Sequence, residues 1–175
     1  MVGPVASPRL VHRGELLMWA KDDPLTIQPH HAVMALPWAQ AVVDVQPSVR
    51  AIERLAVDAL RRLLHELEAV CGSIGVIAVV GSMGRDPGLI ANPHIRAHAA
   101  EGQLYRQVLE TAAGTCGVAA MSFSPRTLAD AAALRLGMSA QALAAQVQAL
   151  GKGKVHPWRV DERQATCAAW AALHP

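Results

Sequence analysis

His94, His98 and Glu101 are spaced i, i+4 and i+7, so a helix running through them carries two imidazoles and a carboxylate on one face. The run Asn92-Pro93-His94-Ile95-Arg96-Ala97-His98-Ala99-Ala100-Glu101 reads as such a helix start, because Asn92 suits the N-cap and Pro93 the first helical position. Winding it at about 100° per residue sends Arg96, Gln103, Arg106, Gln107 and Glu110 to the opposite side and leaves Leu104, Tyr105, Val108 and Leu109 flanking the histidines. The histidines and Glu101 are therefore expected on the inward stripe, where an unpartnered polar group costs roughly 1–3 kcal/mol. Three kinds of partner would satisfy them. A divalent metal (Mg, Mn or Zn) is one, since a His-x-x-x-His spacing brings two imidazoles to one ion and Glu101 supplies a third ligand. Hydrogen bonds to backbone, or to an acid such as Asp86 or Asp161, are the second; a substrate or phosphate, drawn by the helix N-terminus, is the third. The zincin pattern needs a glutamate directly after the first histidine, and Ile95 stands there, so no metalloprotease assignment follows.

Other stretches compete for chemistry. Gly81-Ser82-Met83-Gly84 follows an apolar run, the place where open α/β sheets hold ligands, but it has neither a P-loop ending nor a dinucleotide fingerprint, and a plain tight turn explains it as well. Arg85 and Asp86 come next, as a phosphate contact and an acid, or as a surface ion pair worth at most about 1 kcal/mol. Residues 133–147 follow a helix-turn-helix pattern around Gly137, yet the would-be reading helix has no Arg or Lys, which favours a packed helical hairpin. Lys152, Lys154, Arg159 and Arg163 then cluster, and suit either a phosphate backbone or a solvated loop. Asp161 and Glu162 open the last helix, where the helix dipole alone favours acids.

The elements that position these residues can be read from periodicity. Glu15–Ala20 and His31–Leu36 are apolar runs separated by the turn signal Lys21-Asp22-Asp23-Pro24 and predict two strands of an N-terminal meander. From Ser48 to Val70 a 3.6-residue period predicts a long amphipathic helix closed by Gly72. The continuous apolar run Ile74–Val80 predicts a buried strand, the histidine helix follows to Gly114, and Val118–Phe123 predicts a second strand. Helices are expected from Ser124 to Leu136, from Ser139 to Leu150 and from Asp161 to Leu173. Alternating helices and strands define an α/β chain.

Composition bounds the rest. A length of 175 residues fits one domain with a real core, and 52% hydrophobic against 17% charged residues excludes a disordered chain. The net charge of +2 neither announces nor excludes nucleic acid. Cys71, Cys116 and Cys167 form no CxxC pair, which predicts a reducing, cytoplasmic setting and no cysteine zinc site. No apolar stretch reaches membrane-spanning length, and the first residues lack a signal-peptide pattern.

The order of meander, long helix, buried strand, helix, strand and closing helices resembles the RNase H-like fold, and in particular the RuvC-type Holliday-junction resolvases. The likeness runs over residues 73–175, through the small residues Ala97, Ala100 and Gly102, the strand end at Ser124 and Pro125, and the closing Asp161 and Ala165. It implies an RNase H-like mixed sheet and phosphodiester cleavage at divalent metal held by carboxylates. Of that family's acids only Asp161 carries over; the first-strand Gly-x-Asp-x-Gly has no counterpart near Glu15 to Ala20, and no acid stands at Val80-Gly81. The resulting expectation is a single α/β domain for nucleic-acid processing, with metal on His94, His98 and Glu101, catalytic roles for Asp86, Glu101 and Asp161, and DNA contacts from Arg85, Lys152, Lys154 and Arg159. Two alternatives remain. One is a non-catalytic scaffold or homodimer built through the Ala-rich helices 128–150; the other is a small-molecule enzyme with an anion pocket at Gly81–Gly84.

Overall fold

A computed structural model describes residues 8–152 and 157–174. Among them are seven α-helices and one two-stranded sheet. The long periodic stretch forms α3 (Gln46–Cys71), which buries Ile52, Ala56, Ala59 and Leu60 and stops at Gly72, whose φ of +75° suits a residue without a Cβ. Strand β1 (Val76–Val80) leads through the histidine helix α4 (Pro93–Thr115) to β2 (Ala119–Phe123). The strands pair in parallel, Val76 opposite Ala119 and Val80 opposite Phe123, as a helical crossover requires.

Alternation along the strands gives the sheet two cores. Ile77 packs on the cluster formed by Ile52, Ala56 and Leu60 of α3 with Leu104, Val108 and Ala112 of α4. Ala78, Val80 and Met121 pack on the other cluster, in which Phe123 meets α5 (Leu128–Leu136), α6 (Ala140–Leu150) and α7 (Val160–Ala172) around the fully buried Trp170. Gly137, at φ +62°, ends α5, and the Ser139 hydroxyl accepts from Ala142 N at 3.1 Å to cap α6, so residues 133–147 form the packed hairpin. Leu136, Leu143 and Val147 are its buried contacts.

The RNase H-like mixed sheet with a β-meander does not fit this architecture, which is mostly helical around two parallel strands. Neither apolar run of the expected meander is a strand. Pro29 presets the first turn of a short helix, α1 (Pro29–Ala32), that takes up His31; turns then continue to Pro37, which caps α2 (Trp38–Asp44). Without that partner Glu15–Ala20 has nothing to pair with; it runs as irregular chain with Leu17 and Trp19 exposed, and an isolated bridge joins Ala20 to Asp23.

Helix α4 also departs from its simple amphipathic reading, because it is packed on two sides. The Arg106 guanidinium reaches the Glu110 carboxylate at 2.6 and 2.7 Å and Ser82 O at 3.0 Å, while the Ser122 hydroxyl donates to Glu110. These residues, expected on the solvent side, form a partly buried network between α4 and the sheet. The fit is close: a Cβ on Gly81 would lie 2.8 Å from Arg106 Cβ, and one on Gly102 would lie 3.1 Å from Ser82 Cβ.

Burial opposes ionisation of Glu110, but hydrogen bonds from Ser122 and Arg106, with the guanidinium charge, outweigh it and hold the carboxyl below its ordinary 4.5. A depressed carboxyl stabilises the fold above its unfolded-state value and loses that contribution as pH falls through the folded one. Replacing Glu110 with Gln is therefore expected to cost about 1 kcal/mol at neutral pH, with the gap to wild type closing as pH falls below 4.5. Urea titrations of both chains at several pH values measure this; a gap that persists at acid pH contradicts it.

Candidate functional site

Three imidazoles meet where α1 docks on the first turns of α4. Asn92 caps α4 through Oδ1, which accepts from Ile95 N at 3.1 Å, and the following turns present His94 and His98 with their Nε2 atoms 3.2 Å apart. His31 of α1 completes the group: its ring centroid lies 5.2 Å from that of His94 and 4.3 Å from that of His98, edge to face. One ring nitrogen from each of the three lies within 4.8 Å of the others.

His31 is held from behind by Glu101, which is 7% exposed. Glu101 Oε2 lies 2.8 Å from His31 Nδ1, and Oε1 accepts from the His31 backbone N–H at 3.2 Å. A carboxylate only accepts, so the His31 Nδ1 is the donor in this bond. The segment before α1 is fixed to the same helix. The Tyr105 hydroxyl reaches the carbonyls of Thr26 at 2.8 Å and Ile27 at 2.6 Å, while the buried Thr26 hydroxyl accepts from Ala20 N and donates to Asp23 O. Burial, reinforced by the Glu101 charge, pushes the Tyr105 phenol up to about 12.

His30 behaves differently from its neighbour. It is buried against Trp38 with ring centroids 5.8 Å apart, and its Nδ1 has no hydrogen-bond partner. Burial lowers its pKa; the Glu101 carboxylate opposes this and His31 adds to it, so the ring stays neutral. It contributes packing to the site.

The residues singled out by sequence are thus only partly brought together. Glu101 does lie inside the protein and close to the histidines, but its carboxylate is occupied by His31, which makes it an orienting group in place of a ligand. His94 and His98 are exposed, and the short elements that pack on α4 are α1 and the 3-10 turn Pro87–Leu89. Asp86 turns back on its own 3-10 turn, where Oδ1 accepts from Gly88 N at 2.8 Å. Asp161 stands exposed in the first turn of α7, a helix packed on β1, α5 and α6. Arg85 is exposed on the loop before α4, and its carbonyl accepts from Gln103 Nε2 at 2.8 Å. Lys152 and Arg159 are exposed on the connection between α6 and α7, and Lys154 lies outside the described residues. The Gly81–Gly84 loop is tied to α4 through its carbonyls, by Arg106 at Ser82 and Gln103 at Gly84.

His31 is the site residue that the sequence pattern does not single out, because its apolar run reads as a strand where the structure has α1. The signal that points to it is Pro29 directly before a His-His pair, because proline at the first helical position starts a turn and aims the residues after it. No protein-family model, curated protein or solved structure matches the chain. Among the described residues, no helix is long and apolar enough to cross a membrane.

Tyr105 is the chain's single tyrosine, so an absorbance titration reads it alone. It is expected to ionise near 12; ionisation at the ordinary value of about 10 contradicts the buried, Glu101-facing position. Replacing Tyr105 with Phe removes its bonds to Thr26 and Ile27 and is expected to lower stability by about 1 kcal/mol.

Proposed function

We propose that the protein binds one divalent transition metal through His31, His94 and His98, and that the bound ion serves metal-dependent hydrolysis of phosphodiesters, with nucleic acid as the substrate class. The observation that carries the metal reading is the convergence of three imidazoles on one point, one of them oriented by a buried carboxylate. Two nitrogens held about 2.0–2.1 Å from a tetrahedral ion lie about 3.3 Å apart, close to the 3.2 Å between the Nε2 atoms of His94 and His98. The His31 ring has to approach by a smaller distance than a rotamer change would produce, since the three donor atoms already lie within 4.8 Å.

The donor set selects the ion. Three neutral nitrogens suit zinc and its neighbours, whereas magnesium prefers oxygen ligands and near-octahedral geometry. Glu101 acts one step back, fixing the His31 tautomer in the carboxylate–histidine arrangement found behind metal ligands. Three protein ligands leave a fourth position open, and an ion so held lowers the pKa of bound water to about 7. The exposure of His94 and His98 leaves that position accessible to a large substrate, and Arg85, on the loop tied to α4 by Gln103, is the nearest exposed cation in sequence for a phosphate, since Arg96 is turned to Ile90 O and the Trp38 ring.

A second reading, a scaffold that self-associates through the Ala-rich helices 128–150, draws on one observation, the 84% exposure of Leu134 on α5. It predicts no metal uptake, so one experiment separates the two. Isothermal titration of the metal-free chain with Zn²⁺ is expected to show one site per chain and a raised melting temperature. Each of H31A, H94A and H98A is expected to weaken binding by more than about 100-fold, beyond the roughly 10- to 100-fold loss expected for E101Q. Zinc-dependent cleavage of nucleic acid is expected in wild type and is lost in H98A. Binding that ignores the histidine replacements overturns the metal site; tight, histidine-dependent binding without cleavage overturns the hydrolytic role alone.

A further inference from the structure

A cavity of about 470 Å³ lies between α3 and α7, with residues 74–78 of the β1 edge as its floor. Leu63 and Leu67 of α3 stand across it from Ala172 and Leu173 of α7, and no Asp, Glu, Lys or Arg lines it. The floor is not inert. Ala119 N donates to Gly75 O and Gly81 N donates to Phe123 O, both at 3.1 Å, and these two bonds fix the parity of the parallel ladder. Backbone groups of Gly75, Ile77, Val79 and Gly81 turn toward β2, so those of Val76 and Ala78 turn away from it, to the cavity side. Among the described residues no hydrogen bond reaches these outward groups. Sequestered backbone N–H and C=O groups are almost always paired. Water is a poor partner for them here, because the aliphatic walls offer it little else to bond.

We propose that this cavity binds an uncharged, flat heterocycle that carries a hydrogen-bond donor beside an acceptor, as a cyclic amide does. Its volume falls within the range of about 300–1,000 Å³ usual for small-molecule sites, and a mostly apolar lining with a few convergent polar groups is their normal make-up. Val76 C=O is an acceptor and Ala78 N–H a donor, two residues apart on the same side of an extended strand. A cyclic amide meets both at once: its N–H donates to Val76 C=O, its C=O accepts from Ala78 N–H, and its ring lies between the leucines of α3 and the end of α7. Weakly held water displaced from the floor adds to the gain. The same features count against other occupants. An ion would be buried with no opposite charge among the lining residues. An alkyl chain would fill the walls but leave the Val76 and Ala78 groups unpaired, and an unpaired buried group carries its full desolvation penalty. None of the lining residues belongs to the histidine site, so the proposal is independent of the metal reading.

Amide NMR of the full chain, titrated with oxindole as the probe, tests this. Oxindole is a neutral, flat cyclic amide, and it is expected to give saturable shifts centred on the Ala78 amide, half-complete at about 1 mM or below. N-Methyloxindole keeps the ring and the carbonyl but lacks the donor, and is expected to bind at least about tenfold more weakly because Val76 C=O is left unpaired. Decanoate, the alkyl-chain alternative, is expected to bind more weakly than oxindole. Leu67→Trp puts an indole into the cavity and is expected to abolish oxindole binding while the chain still melts cooperatively. Where L67W fails to fold, the comparison of oxindole with N-methyloxindole on wild type decides. No saturable shift, shifts centred away from β1, equal affinity for N-methyloxindole, tighter binding of decanoate, or undiminished binding to folded L67W overturns the proposal.

Discussion

Glu101 determines how the N-terminal segment folds. A carboxylate buried in a helix interface needs strong donors, and His31 supplies two of them, its ring Nδ1 and its backbone N–H. Both oxygens are thereby engaged by one residue more than 60 positions away in sequence, and α1 is drawn onto α4. Tyr105, one turn further along α4, secures the preceding carbonyls of Thr26 and Ile27. The segment that could have become a meander is instead pinned to a helix face at two points. The orientation of the His31 ring, and with it the convergence on His94 and His98, is a consequence of that pinning.

Helix α4 is the element through which most of the structure communicates. It closes the β1–α4–β2 crossover, forms one core with α3, supports the sheet through the Arg106–Glu110–Ser122 network and carries two of the three clustered histidines. Packing on two sides explains why so few of its polar residues are free. Arg106 and Glu110 hold the sheet end, Gln103 holds the loop before the helix, and Glu101 holds α1. The first turns expose His94 and His98, and Gln107 and Thr111 are exposed polar side chains further along.

The sequence makes the central and C-terminal elements legible. The 3.6-residue period of α3, the apolar runs of β1 and β2, the Asn92-Pro93 start of α4 and the Gly137-Ser139 break between α5 and α6 each rest on local chemistry, and the structure places them within a few residues. What local chemistry does not encode is a partner. His31-Ala32-Val33-Met34-Ala35-Leu36 is apolar enough for a strand, and only the long-range bond to Glu101 and the proline before it make it a helix and turns. The same limit governs the site. Winding α4 correctly places His94, His98 and Glu101 on one side, but it does not reveal that the carboxylate faces α1 while the imidazoles face solvent. A mixed sheet was expected from element order, and order alone does not distinguish two strands wrapped in helices from a larger sheet.

X-ray absorption at the zinc edge, on the chain loaded with one equivalent of Zn²⁺, tests the three-imidazole centre most directly. The geometry predicts scattering from three histidine nitrogens and one oxygen at about 2.0–2.1 Å, falling to two histidines when His31 is replaced with Ala. A shell with one histidine or none, or a spectrum unchanged by loss of His31, would contradict it.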